Sequence, residues 1–205
     1  MLTRIAVFVS GGGTNLQALI DAQDSGLLKS GRIELVISNV AGAYALTRAA
    51  EAGIKTYTVT KKDFGGSAEL FENELSRVID GGDIDLIVLA GFFAILSGDF
   101  TRKYAKRIIN VHPSLIPAFC GKGYYGLRVH EEALARGVKL TGATVHFVNE
   151  IPDGGEIIMQ KAVAVEEGDT PEILQKRVMR EAEWVILPAA VEKISSRIAA
   201  EKQTG

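Results

Sequence analysis

Residues 4–9 read RIAVFV, and residues 10–15 read SGGGTN. The first segment is a short apolar run, which is typical of a strand buried on both faces of a parallel sheet. Apolar residues at helical spacing follow the glycines, at Leu16, Leu19 and Ile20. A strand, a glycine turn and a helix in succession direct backbone N–H groups and a helix N-terminus toward an anion. This stretch therefore predicts an α/β fold with an anion site at its first turn.

The glycine turn matches neither of the common nucleotide-binding motifs. Leu16 stands where G-x-G-x-x-G requires its last glycine, and no Gly-Lys-Ser/Thr indicates a P-loop. A monophosphate therefore fits the turn better than a dinucleotide. We expect Thr14 or Asn15 to cap the helix and to donate a hydrogen bond to the phosphate. A plain tight turn between a strand and a helix is the alternative.

Strand and helix patterns alternate from the glycine turn to a strand at residues 107–111, which predicts a doubly wound, Rossmann-like, mostly parallel sheet. Residues 141–148 and 156–165 then predict an antiparallel C-terminal hairpin, because only a short loop joins them. A long C-terminal helix begins after Thr170, and Pro188 predicts a kink or break in it. Residues 61–63 (KKD) are expected to form a solvated loop.

The composition and charge of the chain disfavour several classes of protein. The chain has 205 residues, a formal net charge of -2 and one cysteine. The near-neutral charge argues against nucleic acid as a partner, and the single cysteine fits a reducing, cytoplasmic setting. No apolar run is long enough for a membrane helix, no signal segment is visible, and no Cys/His cluster has the spacing of a zinc site. We therefore expect small-molecule ligands, no membrane partner and no metal.

The candidate for chemistry is the stretch INVHPSLIP at residues 109–117. Asn110 and His112 lie two positions apart, so on a strand their side chains point the same way. Pro113 holds His112 in an extended conformation. An amide and an imidazole side by side can stabilise charge on an attacked carbonyl and move a proton. A pair that only ends the strand is the alternative.

Two further segments and one histidine are predicted to lie around this pair. Residues 91–96 (GFFAIL) follow a strongly apolar strand, at the sheet edge where ligands of α/β folds bind, and could grip a flat ring; a purely structural core segment is the alternative. Residues 117–126 are rich in glycine and aromatic residues, which predicts a mobile loop. His146, on a predicted strand, is expected to support the site or to pair within the sheet.

Three motifs together resemble those of the folate-dependent formyltransferases. They are residues 10–17 (SGGGTNLQ), residues 110–115 (NVHPSL), and residues 142–148 (GATVHFV) continuing to an Asp-Gly-Gly at 153–155. The resemblance covers nearly the whole chain, and the first motif points to members that use glycinamide ribonucleotide as the acceptor. It implies a single domain over residues 1–205, with a phosphate- and nucleotide-binding half at 1–105 and a catalytic, folate-binding half at 106–205.

The resemblance also implies roles for individual residues. Asn110, His112 and Asp153 correspond to the catalytic residues of the family. The acceptor substrate is implied to bind at Gly12, Gly13, Thr14, Asn15 and Glu183. The pterin of 10-formyltetrahydrofolate is implied to bind at Phe93, Ala94, Ile95 and Leu96, at Asn110, and at Asn149, Glu150, Ile151, Pro152 and Asp153.

The implied reaction is transfer of the formyl group of 10-formyltetrahydrofolate to the glycine amine of glycinamide ribonucleotide, in purine biosynthesis. An ionised Asp153 beside His112 is expected to raise the pKa of the imidazole and to relay the proton that leaves the amine. The implied partners are the nucleotide and the folate, with no metal, and the chain is expected to be a monomer or a homodimer.

Other activities remain open at this point. A formyltetrahydrofolate hydrolase usually carries an additional N-terminal domain, and a methionyl-tRNA formyltransferase an additional C-terminal one, and we expect neither here. A non-catalytic module that binds a phosphoribosyl ligand would use the same fold. A dinucleotide-dependent oxidoreductase is disfavoured by the broken glycine motif.

Overall fold

The computed structural model describes residues 1–204, so the last position of the predicted domain lies outside the described residues. The elements follow in the order β1 (Thr3–Val9), α1 (Thr14–Asp24), β2 (Gly31–Ser38), α2 (Tyr44–Glu51), β3 (Lys55–Thr58), a 3₁₀ turn (Lys61–Phe64), α3 (Ala68–Gly81), β4 (Leu86–Leu89), α4 (Gly98–Lys103), β5 (Ile108–His112), α5 (Arg128–Arg136), β6 (Leu140–Phe147), β7 (Ile157–Ala164), α6 (Pro171–Val178), a π-helical turn (Met179–Glu183) and α7 (Trp184–Thr204).

The seven strands form one sheet in the order β3-β2-β1-β4-β5-β6-β7. Strands β1 to β5 pair in parallel, whereas β6 pairs antiparallel with both β5 and β7. The predicted doubly wound sheet with an antiparallel C-terminal hairpin is therefore confirmed. Strand order reverses between β1 and β4, and the crevice at such a switch point is where open α/β sheets bind ligands.

The core lies on both faces of the sheet. Successive residues of β1 point to opposite faces, so Ile5 and Val7 belong to one buried cluster and Ala6 and Phe8 to the other. The first cluster is covered by α1, α2, α6 and α7, and the second by α3 and by residues of α4. Because β1 is buried on both faces, its sequence is a continuous apolar run rather than an alternating one.

Two local predictions need correction. Residues 61–63 are exposed, as expected of a solvated loop, but they belong to a 3₁₀ turn that Thr60 and Asp63 cap reciprocally. The C-terminal helix does not break at Pro188, which lies inside α7. The interruption falls earlier, at the π-helical turn Met179–Glu183. Buried neighbours of Pro188, among them Leu187 and Val191, hold α7 against the core on both sides of the proline.

No helix within residues 1–204 is both long enough and apolar enough to cross a membrane.

A buried histidine on α5 makes stability depend on pH. The His130 side chain is buried, neither ring nitrogen has a hydrogen-bond partner among the described residues, and burial lowers its pKa to about 4. Between pH 6.5 and 4 the unfolded chain therefore binds a proton at this position that the folded chain resists. Stability from the neutral ring is complete above pH 6.5 and is lost as the pH falls toward 4.

We expect this one ring to remove about 3 kcal/mol of unfolding free energy over that interval. Urea unfolding at several pH values measures how the unfolding free energy changes with pH in the wild type and in His130→Phe. The difference between the two proteins isolates His130, because the other titrating groups are common to both. Equal losses of stability in the two proteins between pH 6.5 and 4 would contradict this prediction.

Candidate active site

The candidate catalytic residues lie where β5 and β6 pair at the ligand-binding edge of the sheet. In the antiparallel register, Asn110 stands opposite His146 and His112 stands opposite Thr144. The amide Nδ2 of Asn110 lies 3.2 Å from Nε2 of His146. The two-residue spacing on β5 and the register with β6 thus bring an amide and two imidazoles into one cluster.

The loop between β6 and β7 adds a carboxylate to this cluster. Asp153 Oδ2 lies 3.5 Å from Nδ1 of His112, and its Oδ1 lies 3.5 Å from Nε2 of His146. The carboxylate also accepts a hydrogen bond of 2.8 Å from the backbone N–H of Gly121. Asp153 has a positive φ of 55°, an uncommon backbone conformation for a residue other than glycine. The closely packed loop holds it there, between the two rings.

Two backbone carbonyl oxygens indicate which ring nitrogen carries a hydrogen in His112 and in His146. Nε2 of His112 lies 2.8 Å from the carbonyl oxygen of Phe119, and Nδ1 of His146 lies 2.8 Å from the carbonyl oxygen of Phe147. A carbonyl only accepts, so each of these nitrogens carries a hydrogen. Nε2 of His146 then faces both the Asn110 amide, at 3.2 Å, and Oδ1 of Asp153, at 3.5 Å. One amide hydrogen and the amide oxygen of Asn110 remain available to a ligand.

The pKa of His112 is shifted in the direction opposite to the one expected from the sequence. Burial lowers the pKa of His112 below its ordinary value, and the charge of Asp153 offsets this only in part. The expected rise in the pKa of His112 is therefore wrong, because desolvation of a ring that is 4% exposed exceeds the attraction of one carboxylate at 3.5 Å. For Asp153 itself, burial alone would raise the pKa, but the contacts with His146, His112 and the Gly121 N–H hold it below its ordinary value.

The glycine turn lies at the end of β1 and packs against α2. Gly13 has a φ of 72°, and a β-carbon there would lie 2.6 Å from the β-carbon of Ala45. The turn therefore requires glycine at this position, both for its left-handed backbone and for the close approach of α2. Gly13 is itself the N-cap of α1 and no side chain caps that helix, so the expected cap by Thr14 or Asn15 is wrong.

Asn15 instead makes a buried contact with the C-terminal helices. Its Nδ2 donates a hydrogen bond of 2.6 Å to Oε2 of Glu183, the last residue of the π-helical turn. Burial raises the pKa of Glu183, and the hydrogen bond from Asn15 lowers it in part. The Oδ1 atom of Asn15 is buried without a partner among residues 1–204. Two of the predicted substrate-binding residues, 168 positions apart, are thus in direct contact.

The predicted pterin segments form an apolar rim. Phe93 is 64% exposed, Ile95 is 74% exposed and Ile151 is 60% exposed, which leaves large apolar side chains open to a ligand. The Phe93 N–H donates to Ser10 Oγ at 2.8 Å, so this segment is tied to the glycine turn across the switch point. The ring of Tyr125, from the 117–126 loop, lies 6.3 Å from the ring of Phe93.

The other residues predicted to bind the pterin differ from one another in burial and in their contacts. Ala94 and Leu96 pack partly against the core. Asn149 bonds within its own loop, accepting from the Ile151 N–H at 2.9 Å. Glu150 forms an ion pair of 2.7 Å with Arg102 of α4, and Pro152 is exposed beside Asp153.

Two contacts of the cluster carry no signal in the sequence. The carbonyl of Phe119 and the N–H of Gly121 hold His112 and Asp153, yet every residue has a carbonyl and nearly every residue has an N–H. His146, expected from the sequence to support the site or to pair within the sheet, lies in the cluster beside Asn110 and Asp153. Among residues 1–204, no group of three or more His, Cys, Asp or Glu side chains could hold a metal ion.

Known proteins share this arrangement of elements and motifs. The family profile described as "Formyl transferase" matches residues 3–191. Phosphoribosylglycinamide formyltransferase of Escherichia coli (strain K12) is 42% identical over 187 residues, which are 91% of this chain and 84% of that protein. The chain belongs to the formyl transferase family. The resemblance to the folate-dependent formyltransferases is thereby confirmed.

Two further comparisons are with a much longer protein and with a solved structure. The trifunctional purine biosynthetic protein adenosine-3 of Homo sapiens is 44% identical over 193 residues, which are 94% of this chain but 18% of that protein. The chain thus spans about a fifth of the length of the trifunctional relatives. The crystal structure of glycinamide ribonucleotide transformylase 1 from Symbiobacterium toebii superposes with a TM-score of 0.86 at 41% identity, covering 93% of this chain and 86% of that one. The formyl transferase fold is therefore shared over nearly its whole length.

Proposed function

We propose that the chain transfers the formyl group of 10-formyltetrahydrofolate to the glycine amine of glycinamide ribonucleotide, giving formylglycinamide ribonucleotide and tetrahydrofolate. The observation that carries this proposal is the position of Asp153 between His112 and His146, with Asn110 in contact with His146. An amide, an imidazole N–H and an ionised carboxylate are the groups that acyl transfer to an amine requires. The names of the relatives support the formyl group and the acceptor, and the folate donor rests on the resemblance to the folate-dependent family.

The structure contains groups that suit both substrates. The exposed apolar side chains of Phe93, Ile95 and Ile151 offer faces to a flat ring, and the N–H groups of the glycine turn suit a phosphate. We assign residues 93–96 and 149–153 to the folate, and residues 12–15 with Glu183 to the nucleotide. On this assignment, the half of the chain at 1–105 contributes most of the nucleotide site, and the half at 106–205 contributes catalysis and one folate segment.

When bound, 10-formyltetrahydrofolate supplies the formyl carbon that the amine attacks, so that a C–N bond forms, the bond from N10 to the formyl carbon breaks, and one proton passes from the amine to N10. Asn110 offers its remaining amide hydrogen to the developing charge on the formyl oxygen. His112 offers Nε2–H to the same oxygen, in exchange for the Phe119 carbonyl. Asp153, ionised because its pKa is lowered, accepts the proton of the amine directly or through water.

A spectrophotometric assay of folate deformylation, with and without glycinamide ribonucleotide, tests the proposed function. We expect turnover that depends on the nucleotide and yields the formylated product in equal amount. Turnover without the nucleotide would instead indicate a formyltetrahydrofolate hydrolase. Nucleotide binding without any turnover would indicate a non-catalytic binding module. Either of these two results would overturn the proposal.

A further inference from the structure

We propose that Arg48 supplies the positive charge that binds the phosphate of the acceptor substrate, an assignment that rests on the proposed function. A phosphate monoester carries close to two negative charges at neutral pH. Residues 12–15, which we assign to this substrate, include neither lysine nor arginine. A cation from another element is therefore needed if the charge of the dianion is to be balanced at the glycine turn.

Arg48, on α2, is in direct contact with that turn. Its Nε donates a hydrogen bond of 2.9 Å to the carbonyl oxygen of Gly12, and its Nη1 donates one of 2.9 Å to Oε1 of Gln17 on α1. Its guanidinium carbon lies 5.0 Å from the ring centre of Tyr44. These contacts hold the flat guanidinium group in one orientation beside the turn, as a preorganised anion site requires.

The guanidinium group keeps donors available for a ligand. An arginine side chain has five N–H donors, and hydrogen bonds within residues 1–204 use only the Nε and one of the Nη1 donors. Arg48 and Thr14 both line a cavity of about 800 Å³ between α1, α2 and α7, so the guanidinium group and the hydroxyl are reached from the same open space. The carboxylate on that cavity is Asp21, which already accepts from Gln17 at 2.9 Å.

The backbone at the turn favours the same role. The N–H of Ala45 donates to the carbonyl oxygen of Gly11 at 3.0 Å, and Arg48 donates to the next carbonyl, that of Gly12. Two successive carbonyls of the turn are thereby used by α2. These two bonds hold α2, and with it the guanidinium group of Arg48, directly beside the turn, whose N–H groups suit an anion.

The test compares Arg48→Gln, which keeps N–H donors but loses the charge, with Arg48→Lys, which keeps the charge. In Arg48→Gln we expect the KM for glycinamide ribonucleotide to rise about 10- to 100-fold, because a charge-assisted contact is lost, while kcat and the KM for the folate change by less than about twofold. Arg48→Lys should recover part of this loss. Arg32→Gln, at an exposed position of β2, is the matched control and should behave as wild type.

The pH dependence of binding distinguishes a charge contact from a structural role. The second pKa of a phosphate monoester is about 6, so the KM of the wild type should rise as the pH falls from 7 to 5.5. This rise should be smaller in Arg48→Gln, because the variant no longer favours the dianion. An equal rise in both proteins, or an unchanged KM in Arg48→Gln, would overturn the assignment of Arg48 while leaving the proposed function intact.

If the wild type has no transferase activity, the proposed function fails, and binding of inorganic phosphate decides the inference separately. Titration calorimetry should then detect phosphate binding to the wild type that is at least about tenfold weaker in Arg48→Gln. Equal binding to the two proteins, or binding to neither, would overturn the inference.

Discussion

Asp153→Asn should lower kcat for formyl transfer by at least about 100-fold while the protein remains folded. The asparagine side chain has nearly the same shape, and its oxygen can still accept the hydrogen bond from the Gly121 N–H. What it loses is the negative charge 3.5 Å from both His112 and His146, and with it the group that accepts the proton of the amine. Steady-state assays at saturating nucleotide and folate measure the effect.

Two controls separate chemistry from structure in this experiment. Asp99→Asn, at the start of α4, makes the same change in an exposed ion pair with Arg102 and should keep full activity. Thermal unfolding of Asp153→Asn should remain cooperative and close to that of the wild type. If kcat of Asp153→Asn stays within tenfold of wild type, Asp153 is not the proton acceptor.

Gly155→Ala should cost about 2–3 kcal/mol of unfolding free energy and should also abolish most of the activity. A β-carbon at position 155 would lie 1.7 Å from the carbonyl oxygen of Phe147 and 2.7 Å from its carbonyl carbon. Both are backbone atoms, so the chain itself must move. The segment that moves either carries Asp153 or follows His146, and the cluster of the two histidines and the carboxylate would be lost.

Urea unfolding and the transfer assay measure these two effects of Gly155→Ala. Gly81→Ala is the matched control, because position 81 ends a helix and a β-carbon there meets nothing within 4 Å. Alanine should be neutral or slightly stabilising at that position. A Gly155→Ala protein as stable and as active as Gly81→Ala would show that the β6–β7 loop has more freedom than this packing allows.

The fold could be predicted because its pattern is local. Residues 4–9 are apolar throughout since β1 is buried on both faces, and the glycines that follow mark the turn into α1. The same reasoning was wrong at Pro188, where apolar packing on both sides keeps the helix continuous and the interruption moves to a π-helical turn. At this position, the unfavourable helix propensity of one proline is outweighed by the free energy gained when a whole face of α7 is buried.

The site could be predicted only in part. The pairing of Asn110 with His112 follows from the two-residue period of a strand, whereas Asp153 and Glu183 could be proposed only through the resemblance to a family. Their contacts span long separations along the chain, 41 residues between His112 and Asp153 and 168 between Asn15 and Glu183. No periodicity relates positions so far apart. The loop after β6 brings Asp153 to His112, and the packing of the C-terminal helices against α1 brings Glu183 to Asn15.

By itself, then, the sequence determined the strand and helix order, the glycine turn after β1 and the placement of Asn110 and His112 on one side of a strand. Only the tertiary structure decided that Asp153 lies between His112 and His146, that Arg48 is in contact with the glycine turn, and that the pKa of His112 is lowered rather than raised. The physical reason is that backbone periodicity is local, whereas distance and burial are set by packing between elements that are remote in the chain.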